Sequence, residues 1–271
     1  MSLGIAFKGP EGIVLAADSR VTLTTEVPQG DRIAVLPSTF DNATKLLEIP
    51  KQRYVGVVTH GLGGIGSKEP RTAHSFVPEL DAQLPNRRLP VRDFADALSC
   101  FFVDQWRATM PERWQGPDMT FLVGGYDEDA IYGSVWQIDV PSHPEPREWN
   151  RGTEFGLTWG GQLEYVNRLI KGFDPALPSL ARECLGLTDE QTHGLESYLE
   201  ERLSSHIPYQ FLPLQDCVDL AVYLIRSTIQ LQTWTVGVRG VGGAIDVATI
   251  TRTGGFQPVM RKAVGAGRRS D

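Results

Sequence analysis

Apolar positions crowd the start of the chain. Residues 3–9 and 12–18 run or alternate apolar and read as two strands joined at the turn Gly9-Pro10-Glu11-Gly12. From Arg20 to Val27 the β-branched residues Val21, Thr22, Thr24 and Thr25 predict a further strand, and residues 28–42 form a Pro- and Gly-bearing excursion read as an irregular loop. Lys45–Ile49 and Tyr54–Thr59 predict a strand pair around Pro50-Lys51-Gln52. Further on, Met119–Tyr126 and Ala130–Asp139 predict strands about the turn Asp127-Glu128-Asp129. A short strand over Phe155–Thr158 follows, and Ala244–Thr251 closes the sheet.

The period then lengthens. Phe94, Ala97, Leu98, Phe101, Phe102 and Trp106 fall at helical spacing within a predicted helix over 91–110, with shorter helices over 70–84 and 162–171. Thr188-Asp189-Glu190-Gln191 is a capping box and starts a helix over 189–204; another runs over 214–231. Residues 257–271, with Arg261, Lys262, Arg268 and Arg269 among small residues, read as a loose tail. Periodicity alone gives α+β. The aromatic residues Phe101, Phe102, Trp106, Trp159 and Trp234 are read as core packing.

Composition narrows the class. A chain of 271 residues, 41% hydrophobic and 22% charged, can bury a core without cross-links, and nothing in it resembles a linker, so one domain over 1–256 is expected. A net charge of −7 argues against a nucleic-acid partner. Cys100, Cys184 and Cys217 are widely spaced and odd in number, without metal-ligand spacing, which suits a reducing compartment. No run approaches the ~18 apolar residues of a membrane span and no signal peptide opens the chain. The expectation is a cytoplasmic protein without metal, cofactor or membrane partner.

The candidate chemistry sits at position two. Removal of Met1, expected before so small a residue, would give Ser2 a free α-amine beside its own hydroxyl. Such an amine titrates at roughly 7.7–8.0 and can act as general base for the side-chain oxygen. The glycine-dense segment His60-Gly61-Leu62-Gly63-Gly64-Ile65-Gly66 could bring backbone N–H groups close to a ligand; it lacks the Lys-Ser/Thr that a nucleotide loop would carry. His60 is read as a lone loop histidine with no catalytic role.

The ungapped run Phe7–Arg20, ending Ala16-Ala17-Asp18-Ser19-Arg20, is similar to the opening hairpin of proteasome β-type subunits, a family of N-terminal-nucleophile hydrolases. Asp41-Asn42-Ala43-Thr44-Lys45-Leu46-Leu47-Glu48-Ile49 resembles the strand that carries the family's lysine. Met119–Asp127 resembles the central strand with its Gly-Tyr/Trp-Asp end, and Val241–Val247 the late Gly-Gly strand. The resemblance implies a four-layer αββα sandwich of two antiparallel sheets flanked by helices. It also implies Ser2 as nucleophile, Asp18, Arg20 and Lys45 as the charged cluster, and Gly61 or its neighbour His60 as oxyanion donor through backbone N–H. The implied activity is peptidase action on peptides or unfolded proteins within a homo-oligomeric ring, with room for an unfoldase partner.

Two stretches are longer than the family pattern. Lys45 lies about a dozen residues further from Asp18, and the 173–210 region is a helical insertion; loops absorb both at little thermodynamic cost. Supporting positions differ as well. Thr158-Trp159-Gly160 stands where the family has a serine in a Gly-Ser-Gly turn, and Val238 and Val241 stand at an aspartate and a serine. These departures keep open a catalytically inactive ring subunit, and Ser2 alone would also suit a small-molecule amidohydrolase.

Overall fold

The computed structural model describes residues 2–29 and 32–263, with backbone alone over 23–29 and 32–37. The strands are β1 (Leu3–Lys8), β2 (Ile13–Asp18), β3 (Val21–Gln29), β4 (Arg32–Phe40), β5 (Leu46–Glu48), β6 (Val55–Gly61), β7 (Met119–Gly125), β8 (Ser134–Val140), β9 (His143–Trp149), β10 (Gly156–Gly161), β11 (Ile245–Thr251) and β12 (Gly255–Met260). The α-helices are α1 (Val77–Gln83), α2 (Val91–Thr109), α3 (Glu164–Ile170), α4 (Leu177–Leu185), α5 (Asp189–Leu203) and α6 (Leu214–Trp234).

Two five-stranded sheets and a two-stranded ribbon result. The first sheet has the order β10-β1-β2-β11-β12, the second β5-β6-β7-β8-β9, and all pairs are antiparallel. Leu3, Ile5, Phe7, Val14 and Ala16 pack with Val166, Ala221 and Ile225 of α3 and α6. Ala6, Ile13, Leu15 and Ala17, on the opposite face, meet Val58, Leu122 and Val135 of the second sheet. The outer face of that second sheet packs Val57, Phe121 and Ile138 against Phe94, Leu98 and Phe102 of α2. β1 and β2 are therefore buried on both faces, which is why they read as apolar runs and not as clean alternation.

Several expectations need correction. The 28–42 excursion is mostly strand: β4 pairs back on β3 from Val21↔Phe40 to Gln29↔Arg32, while residues 30–31 lie outside the described residues. The predicted loose tail begins too early. Residues 257–260 belong to β12, and Lys262 is held by Asp246, which accepts from its backbone N–H at 2.9 Å and pairs with its ammonium; 264–271 lie outside the described residues. The helix expected over 70–84 is a short 3-10 turn, Ala73–Phe76, followed by α1. β9 falls where no element is expected, and α4 is a second helix within the helical insertion expected over 173–210. Trp234 is 77% exposed and not a core residue. The capping box at Thr188 and Gln191 forms as read and starts α5.

Candidate active site

Ser2 immediately precedes β1, at the edge of the space between the two sheets, and is 4% exposed. Its carbonyl accepts from Gln162 N–H at 2.8 Å, just past the end of β10, so the neighbouring strand fixes its backbone. Its Oγ accepts a hydrogen bond from Gly61 N–H at 3.0 Å. An oxygen that accepts here keeps its own proton free to leave toward a base. The expected donor residue is thus beside the expected nucleophile, at the last position of β6. Gly61 has φ +85°, and a Cβ there would stand 2.2 Å from the Asp118 carbonyl oxygen, so only glycine permits this approach.

Asp18, fully buried at the end of β2, is the hub of the charged cluster. Oδ1 accepts from Leu3 N–H at 2.9 Å and from Lys45 Nζ at 2.6 Å; Oδ2 accepts from Gly242 N–H at 3.0 Å and Arg20 N–H at 3.1 Å. One carboxylate therefore ties β1 beside Ser2, the lysine ahead of β5 and the segment before β11. Burial pushes the Lys45 ammonium below its ordinary pKa, while the charge and hydrogen bond of Asp18 oppose that shift. Lys45 lines the same cleft as Ser2, His60 and Gly61.

Arg20 is held by a second carboxylate, Asp41. Its guanidinium makes a two-pronged pair with Asp41, Nε to Oδ1 at 2.6 Å and Nη2 to Oδ2 at 2.8 Å. The hydrogen bond to Asp41 raises the Arg20 pKa, and the reciprocal bond holds the Asp41 carboxyl below its usual range. Asp41 also fixes Ser19, whose Oγ donates to its carbonyl at 2.7 Å. Asp41 opens the second motif, but nothing local in the sequence reveals its partner 21 residues away.

His60 is corrected from a loop histidine to a strand residue, 9% exposed, that lines the cleft. Burial pushes its imidazole down to about 4, so it is neutral at pH 7. At the supporting positions Trp159 turns toward the helices, where Nε1 donates to Asn167 Oδ1 at 2.9 Å. Val241 is buried among the apolar residues under α6, and Val238 is 65% exposed. No cluster of three or more His, Cys, Asp or Glu able to hold a metal occurs among the described residues. No described helix is long and apolar enough to cross a membrane.

No family model matches the chain and no curated protein matches it. Among solved structures it is similar to an Anbu (Gly-1) mutant from Hyphomicrobium sp. strain MC1, with 14% identity and a TM-score of 0.55 over 97% of this chain and 86% of that one. The chain shares the overall fold of that protein, a mixed α/β arrangement of antiparallel sheets and helices.

Proposed function

We propose that the chain is an N-terminal serine peptidase of proteasome-like type, made competent by removal of Met1. The observation that carries the reading is the 3.0 Å hydrogen bond from Gly61 N–H to Ser2 Oγ beside the buried Lys45–Asp18 pair. In the reaction the freed α-amine takes the hydroxyl proton as Oγ attacks the peptide carbonyl. The tetrahedral oxyanion is bonded through carbon to Oγ and so forms within reach of the Gly61 N–H, while the Lys45 charge offsets the developing negative charge. The protonated amine then passes its proton to the leaving peptide amine, giving an ester on Ser2 that water hydrolyses.

The wider reading is a four-layer αββα sandwich in one domain over 1–256, assembled as a cytoplasmic homo-oligomeric ring acting on peptides or unfolded chains, with an unfoldase as a compatible partner. Three stacked apolar clusters, one between the sheets and one under the helices on each side, support the layering. Treating the purified chain with a peptide vinyl sulfone tests the activity. A single adduct mapped to Ser2 and lost in Ser2→Ala is expected; labelling elsewhere, or none on a chain lacking Met1, refutes it.

A non-catalytic ring subunit is the second reading, and the absence of serine and aspartate at Trp159, Val238 and Val241 favours it. Retained Met1 in intact mass spectrometry supports that reading, because the Ser2 nitrogen then stays in a peptide bond.

A further inference from the structure

The residue that precedes the Gly61 donor has a built seat. A Cβ on Gly160 would stand 2.2 Å from both Cε1 and Nε2 of His60, and one on Gly4 3.1 Å from its Cδ2. Gly4 and Gly160 are direct partners in the β1–β10 register, one step from the Leu3–Gly161 pair where the strand begins beside Ser2. The imidazole reaches across from the second sheet and fills the space that two missing side chains leave in the first. Either glycine alone would be unremarkable; together, facing one buried ring, they form a socket. Meanwhile the tryptophan next to Gly160 turns its indole away toward α3.

We propose that His60 is a positioning residue for Ser2: from the opposite sheet its imidazole occupies the place of a side chain at Gly160 and sets a polar ring against the strand pair that carries the nucleophile. This rests on the peptidase reading. His60 acts through two connections. It is covalently next to the N–H that meets Ser2 Oγ, and it packs under the strand pair that holds the Ser2 backbone. The ring is neutral at pH 7, so it offers one donor and one acceptor without adding a second cation beside Lys45. The charged groups that bear on it are Asp139 of β8, which also accepts from Thr120 Oγ1 at 2.7 Å, and Lys45.

The test is a swap, read as the rate of vinyl sulfone labelling at Ser2, with thermal melts to establish folding. His60→Leu fills the socket without polarity and is expected to slow labelling roughly tenfold to a hundredfold, the range of a small misplacement of reacting groups. His60→Gln should retain most of the rate, since it keeps a donor and an acceptor. Gly160→Ser alone should be slow and less stable, because its Cβ meets the imidazole. Gly160→Ser combined with His60→Ala should label faster than either change alone, a coupling that independent sites do not give. Labelling of His60→Leu at the wild-type rate, or a double variant no faster than the faster single one, overturns the proposal while leaving the peptidase reading intact. Failure of the wild-type chain to label overturns both.

Discussion

Acidification should cost this protein stability through His60, by an amount the structure sets. The imidazole titrates near 6.5 when unfolded and about 4 when folded, so the unfolded chain binds the proton more readily. A depressed folded pKa gives a contribution that is fully present above pH 6.5 and is lost as pH falls through the window down to about 4. At 1.36 kcal/mol per pH unit, the loss is about 0.8 kcal/mol at pH 6 and about 2 kcal/mol at pH 5, approaching about 3 kcal/mol below pH 4. Carboxylates also titrate toward the acid end, so the informative quantity is the difference between the wild-type chain and His60→Gln. Urea unfolding of both at pH 7, 6 and 5 should show the wild type losing about 2 kcal/mol more over that range. Parallel pH dependence in the two proteins would mean that the ring is not sealed between Gly4 and Gly160, and the packing reasoning would fall with it.

Other substitutions probe the remaining supports. Asp18→Ala strands the Lys45 ammonium and three backbone N–H groups and should cost about 3–5 kcal/mol. Asp18→Ala with Lys45→Met should cost less than the two single changes summed, and additive unfolding energies would deny the pair. Gly61→Ala forces a side chain into φ +85° against the Asp118 carbonyl, for about 1–3 kcal/mol, and should abolish labelling at Ser2; a wild-type rate would remove Gly61 as donor. Lys8, buried at the end of β1, donates to the carbonyls of Asn150 at 2.5 Å and Gly152 at 2.7 Å. Lys8→Met should therefore cost about 1–3 kcal/mol and speed tryptic cutting after Arg151, whereas unchanged cutting would show the loop is held otherwise.

The elements missed in the sequence share a physical cause. β9 carries Pro144 and Pro146 and β12 carries Pro258, which read as strand breakers; both are edge strands, where an absent N–H leaves no ladder bond unmade. α4 was hidden by Pro178, which falls in its first turn, where proline is tolerated. Trp234 is an aromatic type that reads as core packing, with nothing in the sequence to show whether anything covers it, and it is exposed. By contrast the capping box and the apolar spacing of α2 are local properties and appear where read.

The site divides in the same way. The sequence by itself determined what depends on near neighbours: the hairpin that brings Ser2 back beside Asp18, and a glycine at the end of β6. It could not determine that Arg20 would pair with Asp41, that Asp18 would join β1 to Gly242, or that His60 would seat against Gly160, because those contacts depend on which strands neighbour one another and in what register. On strands buried on both faces the side-chain pattern is nearly uniform, so a shift by one residue leaves little trace in the sequence. Only the packing of one sheet on the other decided which of these side chains meet.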